Sequence, residues 1–284
     1  QDAAEDWMHE LVPQTAWSGH VLGRALMGSA ESVGRVGCES LRDYLATEAQ
    51  AADGLLVTAA GQVDHGLVVE LAAELAGEMR RGAPSSDTAP PAFHADRRLI
   101  RQAGSQIHFC LASPGVSHTD ASRHAFAMLD TVLGGGSSSR LFQEIRENRG
   151  LVYSLESYLQ SYRDGGLFVV AAGASPKNFE LVLDVIEQEV TRLRKEGVGQ
   201  EELARAKVQL KVALALAAES TGFRMQHLAA SEAHWGRVLP FDEIAAGVDR
   251  VTAEDVHGIA QGVLREGERS LVAIGPFDED GSAR

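Results

Sequence analysis

The chain has 284 residues, of which 44% are hydrophobic and 23% are charged, and its formal net charge is −14. A chain of this length and composition can bury a full core in one large or two ordinary domains, so disorder, collagen and coiled coil are excluded as its main state. The acidic balance argues against nucleic acid as a partner, because phosphate binding needs a basic face, and it weakly favours cationic substrates.

In chain order, the sequence mixes helical and strand patterns without the strict alternation of a doubly wound sheet. The ordered predictions are helix 38–46, strand 55–60, helix 66–79, strand 105–112, helices 122–133 and 138–148, strands 151–160 and 167–172, helix 175–196, a helix from about 200 that Gly222 interrupts, helix 224–235 and strand 270–274. Arg163-Asp-Gly-Gly166 is a turn signal that predicts a hairpin between the two middle strands. These elements predict an α+β fold with a largely antiparallel sheet and helices packed on one face.

Residues 80–91 (RRGAPSSDTAPP) concentrate Pro, Ser, Gly and Ala, which is the composition of an exposed linker. We therefore predict a first domain over residues 1–83, a linker over 84–93 and a second domain over 94–284. The two domains end alike, because each carries a predicted helix, a polar turn and a short strand, from Val36 to Gly61 and from Val251 to Gly275. Helix–turn–strand is a common unit, so coincidence is the alternative to duplication.

If the repeat is real, the sequence encodes a duplicated domain whose first copy is truncated at its N-terminus by roughly 120 residues. The chain begins at Gln1 rather than methionine, which agrees with a cut end and makes a missing signal peptide weak evidence about location. Cys38 and Cys110 lie far apart and outside any C-x-x-C pair, so we expect two buried or half-buried thiols in a reducing compartment. We predict a cytoplasmic protein without a membrane span, since no apolar run approaches the roughly 20 residues needed.

Candidate sites are sparse in the sequence. The ten histidines form no H-E-x-x-H or H-x-x-E-H motif, and no G-x-S-x-G elbow is present. His118, Asp120 and His124 are the densest cluster, at a helix start where we expect capping rather than metal binding. The sharpest local signal is Gly134-Gly-Gly-Ser-Ser-Ser-Arg140, where glycines permit close backbone approach to a ligand or chain, or simply connect two helices flexibly. A P-loop is disfavoured, because this loop has no lysine.

A longer motif includes this loop. The run from residue 134 to 154, GGGSSSRLFQEIRENRGLVYS, resembles the signature of the C-terminal half of zinc peptidases of the pitrilysin, insulin-degrading enzyme and mitochondrial processing peptidase family, nearest its single-chain bacterial branch. Residues 162–168, 201–207 and 251–256 are also similar to that half. Residues 21–28 and 59–64 are similar to the end of the N-terminal half. The resemblance therefore covers the end of the N-terminal half and the whole C-terminal half.

The resemblance implies two homologous α+β halves around a chamber, with zinc held in the N-terminal half by the inverted H-x-x-E-H motif of inverzincins. By this alignment the zinc ligands of the intact protein lie outside this chain, so no residue here is assigned to metal binding or catalysis. The C-terminal half of the family supplies an arginine and a tyrosine that reach the substrate backbone, and Arg146 and Tyr153 match them. Gly134, Gly135, Gly136 and Ser137 would form the substrate-facing lip beside this pair.

The function that the resemblance implies is that of the C-terminal portion of a zinc metalloendopeptidase acting on unfolded peptides. Its partners would be a peptide or unfolded protein substrate and either the missing N-terminal segment or a partner subunit, in a homodimer or heterodimer. The alternative is a non-catalytic partner subunit of a heterodimeric peptidase of the same family. Ligand binding at the glycine loop without proteolysis is a distant third. Without the resemblance, Arg146 and Tyr153 would be interpreted as a helix-surface arginine and a core tyrosine.

Overall fold

The computed structural model describes residues 4–44, 55–77 and 89–283, and these contain a five-stranded sheet. The strands are β1 (Arg97–Arg101), β2 (Ile107–Gly115), β3 (Val152–Ser161), β4 (Gly166–Ala174) and β5 (Ser270–Gly275). They lie in the order β1-β5-β2-β4-β3. Only β1 and β5 pair in parallel, and the other three pairings are antiparallel. The predicted α+β fold with a largely antiparallel sheet is confirmed.

Helices account for most of the remaining described chain. They are α1 (Ala4–Ala16), α2 (Ala30–Gly34), α3 (Cys38–Tyr44), α4 (His65–Gly77), α5 (Arg123–Leu133), α6 (Phe179–Glu196), α7 (Gln200–Ala217), α8 (Thr221–Trp235), α9 (Phe241–Arg250) and α10 (Ala253–Val263). The last two residues of each of the predicted helices 38–46 and 66–79 lie outside the described residues. Part of the predicted helix 138–148 is a π-helix, Phe142–Asn148.

The sheet is buried on both faces by two separate apolar clusters. On one face, Ile107, Phe109 and Leu111 pack with side chains of α5, α6 and α10, as the alternation in β2 predicts. On the other face, Cys110 and Ala112 pack with α1 and Trp17. Helices therefore cover both faces of the sheet, whereas the sequence predicts them on one face. The second face needs α1 because both faces of the central strands are apolar and each must be covered.

Local signals explain how the helices around the sheet begin and end. Thr252 and Asp255 form a capping box at the start of α10, with Thr252 Oγ1 accepting from the Asp255 N–H at 3.1 Å. Gly197 ends α6 with a φ of 73°, a conformation that favours glycine. The predicted hairpin is confirmed, because Ser161 pairs with Gly166 and the Tyr162 N–H donates to the Gly165 carbonyl at 2.8 Å.

Two expectations are wrong. Residues 55–60 form no strand, and Leu56 and Val57 are 42% and 46% exposed, because no other described strand lies beside them to complete a ladder. The strand predicted for the first copy of the repeat is therefore absent, whereas the second copy forms α10 followed by β5 as expected. Cys38 is exposed rather than buried, while Cys110 is buried.

The chain divides into two compact units, each discontinuous in sequence. The first comprises Gln1–Leu26, Pro90–Lys211 and Ile244–Arg284 and contains the sheet; the second comprises Met27–Ala89 and Val212–Glu243 and contains α2, α3, α4 and α8. The domain boundaries at residues 83 and 94 stay a prediction, as does the duplication. Across the described ranges, no helix is both long and apolar enough to cross a membrane.

Candidate substrate-binding site

Arg146 lies on the surface of the π-helix. Ile145 is fully buried in the core and anchors this helix, while Arg146 beside it is exposed and its guanidinium lies 4.9 Å from the centroid of the Phe142 ring. A cation over an aromatic face is a favourable contact that leaves the guanidinium N–H groups available. The helix ends at Asn148, and Gly150, with a positive φ of 61°, then turns the chain into β3. Wide helical turns of this kind often occur at functional sites.

Tyr153 is the second residue of β3 and lies at a break in the strand register between Val152 and Ser154. Its side chain is 61% exposed, whereas Val152 and Leu155 on the same strand are buried. A β-bulge re-aims side chains, so the hydrophobic alternation of the strand does not decide the direction of Tyr153. The interpretation of this residue as a core tyrosine is therefore wrong.

A small cleft of about 170 Å³ adjoins Arg146 within the first unit. Its other walls come from the first turn of α1, from β2, from β3 and from β4. The cleft is lined by Glu5, Met8, His108, Arg146, Ser154, Leu155, Glu156, Ala171 and Ala172. Two carboxylates, Glu5 and Glu156, therefore border the same cleft as the arginine.

The predicted lip, Gly134 to Ser137, is a tight loop after α5. The N–H groups of Gly134 and Gly135 both donate to the Asp130 carbonyl, at 3.0 and 2.8 Å. The carbonyl of Ser137 accepts from Gln143 Nε2 at 2.6 Å. Gly134 is buried, while Gly135 and Ser137 are exposed. Their role toward substrate stays a prediction, but the structure gives the glycines a packing reason, since the loop lies against its neighbours too closely for side chains.

Arg140, at the end of this segment, links it to α7. Arg140 Nε and Nη2 donate to the two carboxylate oxygens of Glu202 at 2.8 and 2.7 Å, and Nη2 also donates to the Gly197 carbonyl at 2.9 Å. Burial raises the pKa of Glu202, but the hydrogen bond and charge of Arg140 outweigh it and the net pKa is lowered. This bidentate pair fixes the start of the segment that leads to Arg146.

Asp130 is a polar residue of the site that the sequence does not indicate. It lies in the last turn of α5, and its Oδ1 accepts from Ser157 Oγ at 2.5 Å. Burial raises the pKa of Asp130 from 3.8 to about 6, against the opposing effect of the Ser157 hydrogen bond and with a smaller contribution from Glu156. In the sequence it is a single acidic residue in an apolar helix, which gives no signal of a partner on β3.

The capping predicted for the cluster of His118, Asp120 and His124 is not found, because Ser122 is the N-cap of α5 and no side-chain cap hydrogen bond forms there. Asp120 Oδ1 accepts from the Ser122 N–H at 2.7 Å and from Ser122 Oγ at 2.6 Å. His124 lies against Gly247, and its pKa is lowered by burial and by the nearby Arg123 and Arg250. Within residues 4–44, 55–77 and 89–283, no three His, Cys, Asp or Glu side chains come together as metal ligands. The described residues therefore do not fit a zinc ion.

Comparison with known proteins agrees with this fold and with the motif that contains Arg146. Residues 35–210 match the family model described as the peptidase M16 inactive domain. The chain therefore belongs to the M16 peptidase family, and the predicted resemblance to pitrilysin-type zinc peptidases is confirmed.

Relatives and solved structures extend the comparison. An uncharacterized zinc protease of Streptomyces coelicolor is 36% identical over 297 residues, covering 100% of this chain and 63% of that protein. The zinc protease YmxG of Bacillus subtilis is 28% identical over 276 residues, covering 97% of this chain and 67% of YmxG. This chain thus spans less than two thirds of the Streptomyces protein.

Two solved structures share the fold. The peptidase M16 inactive domain from Pseudomonas fluorescens matches with a TM-score of 0.87 at 22% identity, covering 97% of this chain and 66% of that one. A chain of complex III2 from Candida albicans matches with a TM-score of 0.83 at 17% identity, covering 98% of this chain and 68% of that one. At these identities the likeness shows the fold alone.

Proposed function

We propose that this chain is the C-terminal, substrate-binding portion of a zinc metalloendopeptidase that degrades or processes unfolded peptides in a chamber between two halves. The observation that carries the proposal is the exposure of Tyr153, which is 61% accessible on a strand whose neighbouring Val152 and Leu155 are buried. A large aromatic side chain that is turned outward from a half-buried strand has no packing role that explains its position. The named zinc proteases among its relatives support the same reaction class.

The two side chains suit complementary roles toward a peptide. The planar guanidinium of Arg146 can donate two parallel hydrogen bonds to backbone carbonyls. The phenol of Tyr153 can donate to the oxyanion that develops when a peptide carbonyl is attacked. The exposed part of the lip, Gly135 and Ser137, would face the same peptide. In this proposal the zinc and its ligands lie outside this chain, and no step is assigned to them here.

The experiment uses the intact protein to which this chain belongs. We predict that Arg146→Ala and Tyr153→Phe each lower kcat/KM for an unstructured peptide by roughly 10²-fold or more, the loss typical of a removed oxyanion donor. Because both side chains are exposed, the melting temperature should not change. Arg149→Ala is the matched control, since Arg149 is exposed on the same segment but pairs with Glu144 at 2.6 Å. Wild-type kinetics in both test variants would refute the assignment.

The chain alone provides a second test. We expect it to bind no catalytic zinc and to cleave no peptide, because its described residues offer no ligand set. Metal analysis after dialysis against zinc and an assay with a quenched fluorescent peptide measure both properties. Stoichiometric zinc accompanied by cleavage would contradict the placement of the active centre outside this chain.

The second candidate is a non-catalytic partner subunit of a heterodimeric peptidase of the same family. It is favoured by the family model's own description as an inactive domain. The sequence that precedes residue 1 in the intact protein discriminates the two candidates. If it lacks an H-x-x-E-H motif and the intact protein neither holds zinc nor cleaves peptides, the self-contained peptidase is rejected and the partner subunit is supported.

A further inference from the structure

A polar link joins the end of α5 to the middle of β3. Ser157 Oγ donates to Asp130 Oδ1 at 2.5 Å, and Ser157 is only 6% exposed. In this position the Asp130 carboxylate loses most of its hydration and gains few protein hydrogen bonds. Burial of a carboxylate is unfavourable unless its remaining hydrogen bonds are strong. Neither Asp130 nor Ser157 is among the residues proposed above to contact the substrate.

The same two residues also hold the glycine loop through the backbone. The Asp130 carbonyl accepts from the N–H groups of both Gly134 and Gly135, at 3.0 and 2.8 Å. The Ser157 N–H donates to the Gly134 carbonyl at 3.3 Å. Helix end, loop and strand therefore form a closed ring of hydrogen bonds, in which Ser157 Oγ links the strand directly to the helix, at 2.5 Å from Asp130 Oδ1 and 3.4 Å from the Asp130 carbonyl oxygen.

Steric contact makes the ring tight. A Cβ atom added to Gly134 would lie 2.6 Å from Ser157 Oγ and 2.8 Å from its Cβ. A Cβ atom added to Gly135 would lie 3.0 Å from the Asp130 carbonyl oxygen. Glycine is thus needed at position 134 for the loop to approach Ser157, and at position 135 any larger residue would crowd the Asp130 carbonyl.

The ring brings together the parts of the chain that the proposed function assigns to peptide binding. Ser157 lies on the strand that carries Tyr153, and Gly134 to Ser137 form the predicted lip. We propose that Asp130 and Ser157 are positioning residues that fix the glycine loop against β3 and so hold the lip in place on the strand that carries Tyr153. The positioning stands on the geometry, and only its consequence for peptide binding rests on the proposed function.

An ionised carboxylate suits this role better than a neutral acceptor. Hydrogen bonds to charged acceptors are shorter and roughly twice as strong as neutral ones. Asparagine at position 130 would keep an acceptor oxygen in the same place but weaken the bond, and alanine would remove it. The disturbance of the loop should therefore increase from wild type to Asp130→Asn to Asp130→Ala. A residue that acted only by filling space would not separate aspartate from asparagine in this way.

The first readout is amide hydrogen exchange of the loop in the full chain, measured by mass spectrometry or NMR. We expect exchange over residues 134–137 to be at least about tenfold faster in Asp130→Ala and Ser157→Ala, and less accelerated in Asp130→Asn. Thr131→Val is the matched control, because it removes a neighbouring buried hydroxyl that donates only to the Ala127 carbonyl within α5. It should leave exchange in the loop unchanged. If Asp130→Ala does not fold, Asp130→Asn and Ser157→Ala carry the test.

The second readout is the affinity of the same variants for a fluorescein-labelled, unstructured cationic peptide, measured by anisotropy. We expect Ser157→Ala to weaken binding severalfold, with Arg146→Ala as the reference for a direct contact. Unchanged exchange in both Asp130 variants and Ser157→Ala overturns the positioning role. Faster exchange with unchanged affinity, while Arg146→Ala does weaken binding, overturns the link between loop position and peptide. Absence of peptide binding by the wild-type chain counts against the proposed function, whereas the exchange data still decide the positioning.

Discussion

Replacement of Asp130 by asparagine should change how stability depends on pH. Burial raises the pKa of Asp130 from 3.8 to about 6 in the folded chain. The folded state therefore holds this proton more tightly than the unfolded state, and between the two pKa values the native protein binds more protons. The free energy of unfolding consequently falls as the pH rises through this window. Asparagine does not titrate, so Asp130→Asn removes this contribution.

The magnitude follows from the size of the shift. A displacement from 3.8 to about 6 corresponds to about 3 kcal/mol between the two protonation states. The difference in unfolding free energy, wild type minus Asp130→Asn, should therefore decrease by up to about 3 kcal/mol between roughly pH 3.5 and pH 7. Urea denaturation of both proteins at matched pH values measures this difference, and all other titrating groups cancel in the subtraction.

A pH-independent difference would refute this account of Asp130. Ser157→Ala supplies a check on its cause, because the hydroxyl of Ser157 lowers the pKa of Asp130 against the larger effect of burial. Removal of the hydroxyl should raise the folded pKa further and so extend the upper limit of the window to higher pH. An upper limit that moves to lower pH in Ser157→Ala would show that the hydrogen bond does not act on the carboxylate in this way.

Other features of the fold lead to simpler predictions. Phe179 is fully buried and meets two other phenylalanine rings edge-on at 5.3 and 5.6 Å, so Phe179→Ala should lower the free energy of unfolding in urea by about 3–5 kcal/mol. Thr252→Ala removes the bond to the Asp255 N–H and should cost about 1 kcal/mol in the same assay, whereas no loss would mean that the cap is not formed in solution. Cys38 is exposed and should react with a thiol reagent in the native protein, while Cys110, whose pKa is raised by burial, should react only after unfolding. Equal labelling rates would contradict the burial of β2.

Elements with strong periodic patterns are the ones that the sequence predicts well. Strand β2 alternates clearly, and the Gly-rich turn before β4 specifies the hairpin, because side-chain period and turn chemistry are local properties. Strand β1 is missed because three of its five residues are arginines, which hides its pairing with β5. Helix α1 is missed because Pro13 lies within it, although its Met8, Leu11 and Val12 are buried. The apolar run 55–60 shows the opposite error, because its pattern predicts a strand that does not form. A strand needs a second strand to pair with, and the sequence pattern does not show whether one lies beside it.

In the candidate site, too, features within one short motif can be predicted from the sequence, whereas contacts between distant residues cannot. Arg146 and Tyr153 are assigned by resemblance, which the sequence allows because both belong to one short motif, and their role toward substrate stays a prediction. The bulge that exposes Tyr153 could not be predicted, because register in a sheet depends on the partner strand. Asp130 and Ser157 are separated by 27 residues and meet only through the fold. Their pairing leaves no periodic signal in the sequence.

The position of β5 constrains when the sheet can form. Strand β5 is the last strand in the chain, yet it lies inside the sheet, between β1 and β2. During synthesis, strands β2, β4 and β3 can pair using residues 107–174 alone, because all three lie within that stretch of the chain. Among the described strands, β5 is the one that pairs with both β1 and the free edge of β2, so both stay unpaired until residues 270–275 have left the ribosome. Removal of the last strand by proteolysis would thus split the sheet instead of trimming its edge.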